Sequence, residues 1–177
     1  MKSPQALSEI DRRTAASWAA DCAERVLAIF ESESPADARP RDAIARTRAF
    51  ARGELDAAGE IRRRFVAGRA ARDVTTPPAI AAARAAAHAA GVAHMGAHAL
   101  GAAAYAAKAA GLSRPDHADA VRDEIRWQLA QLSPGARTAL RQLPLLGEDT
   151  AGPLGPGLLT RGVLATTIRA IQAGLAQ

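Results

Sequence analysis

The chain has 177 residues, the length of one ordinary domain with enough interior for a real core. Its 49% apolar fraction includes 47 alanines while Phe, Trp and Tyr make only 3%, so closely approaching helices must fill the interior in place of bulky side chains. The single Cys22 excludes a disulfide framework and a cysteine metal cluster, and the +5 charge, carried by 21 arginines and two lysines, bears on solubility and not on a reaction.

The start, MKSPQALSEIDRR, becomes charged before an apolar signal segment can form, which places the chain in the cytoplasm by expectation. The first strong period runs from Ser8 to about Glu31. Ser8 followed by Asp11 reads as a capping box with the shorter acid, and Leu7, Thr14, Trp18, Cys22, Val26 and Ile29 share one stripe. Asp21 and Arg25 stand in the acid-before-base order of an i,i+4 ion pair. Pro35 and Pro40 end this helix.

A second helix opens at Pro40 or Arg41 with Ile44, Thr47, Ala51 and Leu55 as its apolar edge, and Gly53 weakens or ends it. A third carries Ile61, Phe65 and Gly68. Ten arginines against four acids between Arg39 and Arg72 make this outer surface basic, densest at Arg62, Arg63 and Arg64. A solvated helix face explains such a run more simply than nucleic acid does.

Thr76, Pro77 and Pro78 begin the next helix as cap and first turn. Residues 79–110 hold 19 alanines, no acid, and only Arg84 and Lys108 as formal cations. A membrane span is rejected, because alanine contributes little insertion energy and His88, His94 and His98 would lie in hydrocarbon. One continuous helix here would be about 48 Å long, more than such a domain needs, so a break near Gly91 to Gly96 is expected. A helix over about 115–131 follows, with Trp127 as a partly buried anchor, and Ser133 and Pro134 start a short one. LLGEDTAGPLGPG is turn-rich, and Leu164, Ile168, Ile171 and Leu175 form the stripe of a last amphipathic helix that docks on the body or recruits a second chain. The expected fold is a single-domain, alanine-rich, all-α bundle of six to eight helices, with a body over 1–145, a Gly/Pro-rich linker over 146–157 and a C-terminal amphipathic helix over 158–177.

The chemistry-bearing residues gather in the alanine-rich segment. On a continuous helix, Gly91, His94, His98, Gly101, Tyr105 and Lys108 would fall on one line. Glycines beside polar rings let a backbone or ligand approach closely. His94 and His98, at i and i+4, have the spacing of a two-histidine metal site, but packing histidines are the simpler reading and no cofactor is assigned. His88 lies about 120° from His94 by the same rule and joins them only if the helix breaks. GxSxG, Walker, dinucleotide and CxxC motifs are absent, and mid-stripe Cys22 reads as a small hydrophobe. Asp21 is a candidate partner for a histidine or for Arg25.

The stretches WAADCAERVLAIFE (18–31), RPRDAIARTRAFARGE (39–54) and ARAAAHAAGVAHMGAHALGAAAYAAKAA (83–110) together resemble the bacterial immunity proteins with the immunity-5-like helical domain, over roughly residues 15–145. The positions that carry the resemblance include Trp18, Asp21, Cys22, Arg39, Pro40, Asp42, Gly53, Glu54, His94, His98, Gly101 and Tyr105, with Phe50 where that family often has tryptophan. The resemblance implies an all-helical fold and neutralisation of a cognate toxin by binding, without catalysis. On this reading Trp18, Asp21, Arg25, His94, His98, Gly101 and Tyr105 form the binding surface. The alternative is a small helical enzyme or ligand-binding protein of secondary metabolism, with a pocket between the first and central helices lined by Asp21, His94, His98 and Tyr105. A homodimer through Leu164, Ile168 and Ile171 is a separate expectation.

Overall fold

The computed structural model describes residues 3–177. Ten α-helices and one 3-10 turn occur among them, without strands. The first is α1 (Glu9–Arg25), whose N-terminus is closed by Ser8: its hydroxyl accepts from the Asp11 amide at 3.1 Å. At Val26 the backbone leaves helical geometry for one residue before α2 (Leu27–Glu33), so the expected long first helix is a broken rod. Pro40 lies in the first turn of α3 (Arg39–Ala51), and Gly53, at φ +81°, reverses the chain beyond it. Asp56 caps α4 (Ala57–Arg63), which passes into α5 (Val66–Ala70) across Arg64 and Phe65. Counting each of these two broken pairs as one rod leaves eight, in line with the expected bundle.

Pro77 starts α6 (Pro77–Gly91) as expected, but the Thr76 hydroxyl bonds Glu33 and does not cap the helix. The break in the alanine-rich segment falls at residues 92–97, after which α7 (His98–Ser113) runs back along α6 as the second arm of a hairpin. The turn is sharp because the N-terminal segment holds it: Gly96 and Ala97 amides donate to the carbonyls of Ala6 and Gln5, both at 3.1 Å. A Cβ on Gly96 would lie 2.4 Å from Leu7 Cδ1, so only glycine lets the N-terminal segment pass this close.

The α6/α7 hairpin is the centre of the molecule. The alanines of α7 from Ala99 to Ala109 are each 0% exposed, the pattern of a helix covered on all sides. Helix α1 crosses both arms, while α2, α3 and α5 cover α6. Helix α8 (Ala120–Ala130) begins later than expected, and α9 (Pro134–Arg141) is capped by Ser133 as expected. Trp18 is buried, and its indole N–H donates to the Gln128 carbonyl at 2.8 Å, tying α1 to α8.

After the 3-10 turn Leu158–Thr160, α10 (Gly162–Ala176) lies on α7 and α8. Leu164 is 5% exposed, and Ile168 and Ile171 are 0% exposed, within a single chain. The stripe offered for a homodimer is therefore already covered by the chain's own core, which removes the apolar surface that such a dimer would need. The segment before α10 is anchored as well: the Gln5 side chain accepts from the Leu154 amide at 2.9 Å and donates to the Ala151 carbonyl. No helix among the described residues is long and apolar enough to cross a membrane.

Candidate functional site

The hairpin brings together residues that a continuous helix would keep apart. His88 on α6 faces His98 on α7, with their Nδ1 atoms 3.1 Å apart, so one ring donates and the other accepts. The Tyr105 ring lies 5.2 Å from that of His88, and Arg84 donates to its hydroxyl at 3.2 Å. Two glycines make the arrangement possible. A Cβ on Gly101 would sit 2.2 Å from His88 Nδ1, and one on Gly91 would sit 2.9 Å from His98 Cγ. Each histidine thus packs on the glycine that follows the other histidine by three residues, in the paired words HAAG (88–91) and HALG (98–101).

Burial holds both rings uncharged. It pulls His88 down to about 3, with the nearby His98 and Arg84 acting in the same direction, and His98 down to about 4, helped by His94 and Arg64. The short contact requires at least one neutral ring, since two imidazolium rings would both present N–H groups. A depression of about 150 Å³ opens beside the pair, lined by Arg64, Phe65, Gly68, Ala87, Gly91 and the two histidines.

The expected alignment of His94 with His98 does not form. His94 is exposed in the turn before α7, because the chain reverses there, and its ring takes no part in the contact. Tyr105 and Gly101 do stand beside His98, joined by His88 and not by His94. Among the described residues no group of three or more His, Cys, Asp or Glu side chains is placed to hold a metal ion.

Asp21 belongs elsewhere. Its carboxylate pairs with Arg48 on α3 at 2.7 Å, and Arg48 also reaches Glu24 at 2.5 Å. Arg25, expected beside Asp21, instead pairs with buried Glu124 on α8 at 2.8 Å and lies 4.2 Å over the Trp127 ring. The four residues Asp21, His94, His98 and Tyr105 therefore do not line one pocket. Asp21, Glu24, Arg25, Trp127 and Gln131 border a separate open depression. Cys22 is 0% exposed, and burial, then the negative charges of Glu124 and Asp21, push its thiol up and away from the reactive thiolate.

The basic segment resolves into two parts. Arg39, Arg41, Arg46, Arg48 and Arg52 are all ion-paired. Arg62, Arg63, Arg64, Arg69 and Arg72 have no ion pair among the described residues, so the positive excess concentrates on α4, α5 and the turn after them.

A family model described as Imm-5 like putative immunity protein matches residues 5–134. The chain belongs to this family. The Imm-5 like match begins ten residues earlier than the resemblance drawn from the sequence and ends near the start of α9, so α10 lies outside both. It takes in the buried Gln5, the whole α6/α7 hairpin and the histidine pair. No curated protein and no solved structure matches the chain.

His88 is the residue that sequence reasoning set aside. The angular rule excluded it from the site on a continuous helix, whereas the His-x-x-Gly word repeated ten residues apart was the available sign of reciprocal packing. Arg84, Arg64 and Phe65 were read as part of the charge and apolar patterns and not as site residues, since their places at the site depend on α5 and α7 crossing α6.

Proposed function

We propose that this chain neutralises a protein toxin by binding it in the bacterial cytoplasm, without making or breaking a covalent bond. The family match carries the reading. The site supports it, because most of the groups weighed for chemistry are committed to the fold, His88 and His98 to each other, Asp21 to Arg48 and Cys22 to the core, while His94 stands exposed apart from them. The depression beside the histidines, about 150 Å³, is roughly half the lower end of the usual size for a small-molecule site.

A titration separates binding from turnover. Purified protein is added in increments to the toxin encoded next to it, and residual toxin activity is read after a fixed time. A binder abolishes activity at one equivalent and leaves a stable complex on gel filtration. Complete loss of activity at a small fraction of an equivalent would show turnover and overturn the proposal. Full toxin activity at excess protein would overturn it too.

A further inference from the structure

We propose that the ridge formed by α4 and α5 is the docking face for an acidic segment of a partner protein that also presents an apolar side chain. This deepens the binding reading and rests on it. Phe65, at the crest, is 60% exposed, and the Arg64 guanidinium stacks 4.2 Å from its ring centre. Solvent gains nothing from so large an apolar surface, whereas a partner covering it would release the water.

The ridge has a depression on each side. Arg63, Val66 and Ala67 face one of about 180 Å³ whose far wall includes Arg39, Asp42 and Arg46. Arg64, Phe65 and Gly68 face the other, of about 150 Å³, floored by Ala87, Gly91 and the uncharged histidines. An apolar cavity of about 150 Å³ holds a benzene-sized group, so the second depression takes one leucine or aromatic side chain.

Charge selects the partner. The arginines on and beside the ridge, Arg62, Arg63, Arg69 and Arg72, are exposed and have no ion pair among the described residues, while Arg39, Arg41, Arg46, Arg48 and Arg52 of the same stretch are matched by acids. Carboxylates on the partner complete this pattern. A second copy of this chain does not, since it brings the same positive ridge. Double-stranded nucleic acid would satisfy the arginines while leaving Phe65 and the apolar depression unfilled; a single strand can stack a base on Phe65, and the RNA probe below reads that outcome.

The test needs no toxin, so its failure is distinct from failure of the titration above. Fluorescence anisotropy is measured for three labelled 12-residue probes: an alternating Glu/Leu peptide, a Glu/Ser peptide of equal charge, and a single-stranded RNA. The Glu/Leu peptide is expected to bind best, and to lose about tenfold in affinity with Phe65→Ala and with the triple variant Arg62→Glu, Arg63→Glu, Arg69→Glu. The triple variant Arg114→Glu, Arg161→Glu, Arg169→Glu, with the same change in charge at exposed sites elsewhere, is expected to leave binding within twofold. Circular dichroism checks that each variant is folded. Equal loss in both triple variants, tighter binding of RNA or of the Glu/Ser peptide, or no binding of the Glu/Leu peptide would overturn the proposal.

Discussion

Replacing Gly101 by alanine should destabilise the protein, although alanine is the better helix former. Within a helix the exchange alone would add about 1 kcal/mol of stability. Here the new methyl would stand 2.2 Å from His88 Nδ1 and 2.7 Å from Cε1, well inside contact distance. The imidazole has to swing away, overpacking typically costs about 1–3 kcal/mol, and the lost contact with His98 adds about 1 kcal/mol. Set against the helix gain, the net loss is about 1–3 kcal/mol. Urea denaturation followed by circular dichroism reads this as a lower midpoint at an unchanged slope. Two companions isolate the cause. Gly68→Ala meets only Ala87 Cβ at 3.7 Å, an ordinary contact, and should be neutral or stabilising. Gly101→Ala in a His88→Ala background should cost nothing further, because the atoms it would strike are gone. A Gly101→Ala variant as stable as the wild type, or one equally damaging with His88 removed, would refute the packing argument.

Stability should depend on pH through the histidine pair. Both rings titrate lower in the folded chain than their ordinary value of 6.5, so the unfolded chain binds more protons below that value. Stability is then full above about pH 6.5 and falls as the pH drops toward 4. The loss between pH 6.5 and 5 precedes carboxylate protonation, and His88→Gln with His98→Gln should flatten it in urea midpoints measured across that range. Gln5→Ala should cost about 1–3 kcal/mol by leaving the Leu154 amide without its buried acceptor, and should speed proteolytic cleavage within 146–157. Ile168→Ala should cost about 2–5 kcal/mol in unfolding experiments while leaving the sedimentation coefficient of the folded protein unchanged, because Ile168 packs inside its own chain.

The all-helical fold was readable because alanine, serine caps and first-turn prolines act locally, and Ser8, Ser133 and Pro40 stand where those rules put them. The break in the alanine-rich segment followed from length alone. Its direction did not, since the Gln5 and Ala6 carbonyls that fix the turn come from some ninety residues upstream in the chain. Gly101 and Tyr105 were placed at the site on the assumption of one straight helix, and that assumption exchanged His94 for His88. Asp21 and Arg25 show the same limit: the i,i+4 rule describes an isolated helix, whereas Arg48 on α3 and Glu124 on α8 offer closer partners once the helices pack. The basic stretch was readable in sequence as densest at Arg62, Arg63 and Arg64, but only the folded chain separates the arginines held by acids from those left on the ridge.

The two arms of the hairpin are joined by an uncharged pair of histidines. A long-range proton–nitrogen NMR spectrum of the imidazoles, followed from pH 7.5 to 5.5, reads their charge ring by ring. Two of the four histidines should keep neutral-ring nitrogen shifts throughout, one of them protonated at Nδ1, and His88→Gln and His98→Gln should each remove one of these signals. Four histidines that all titrate near pH 6.5 would contradict it.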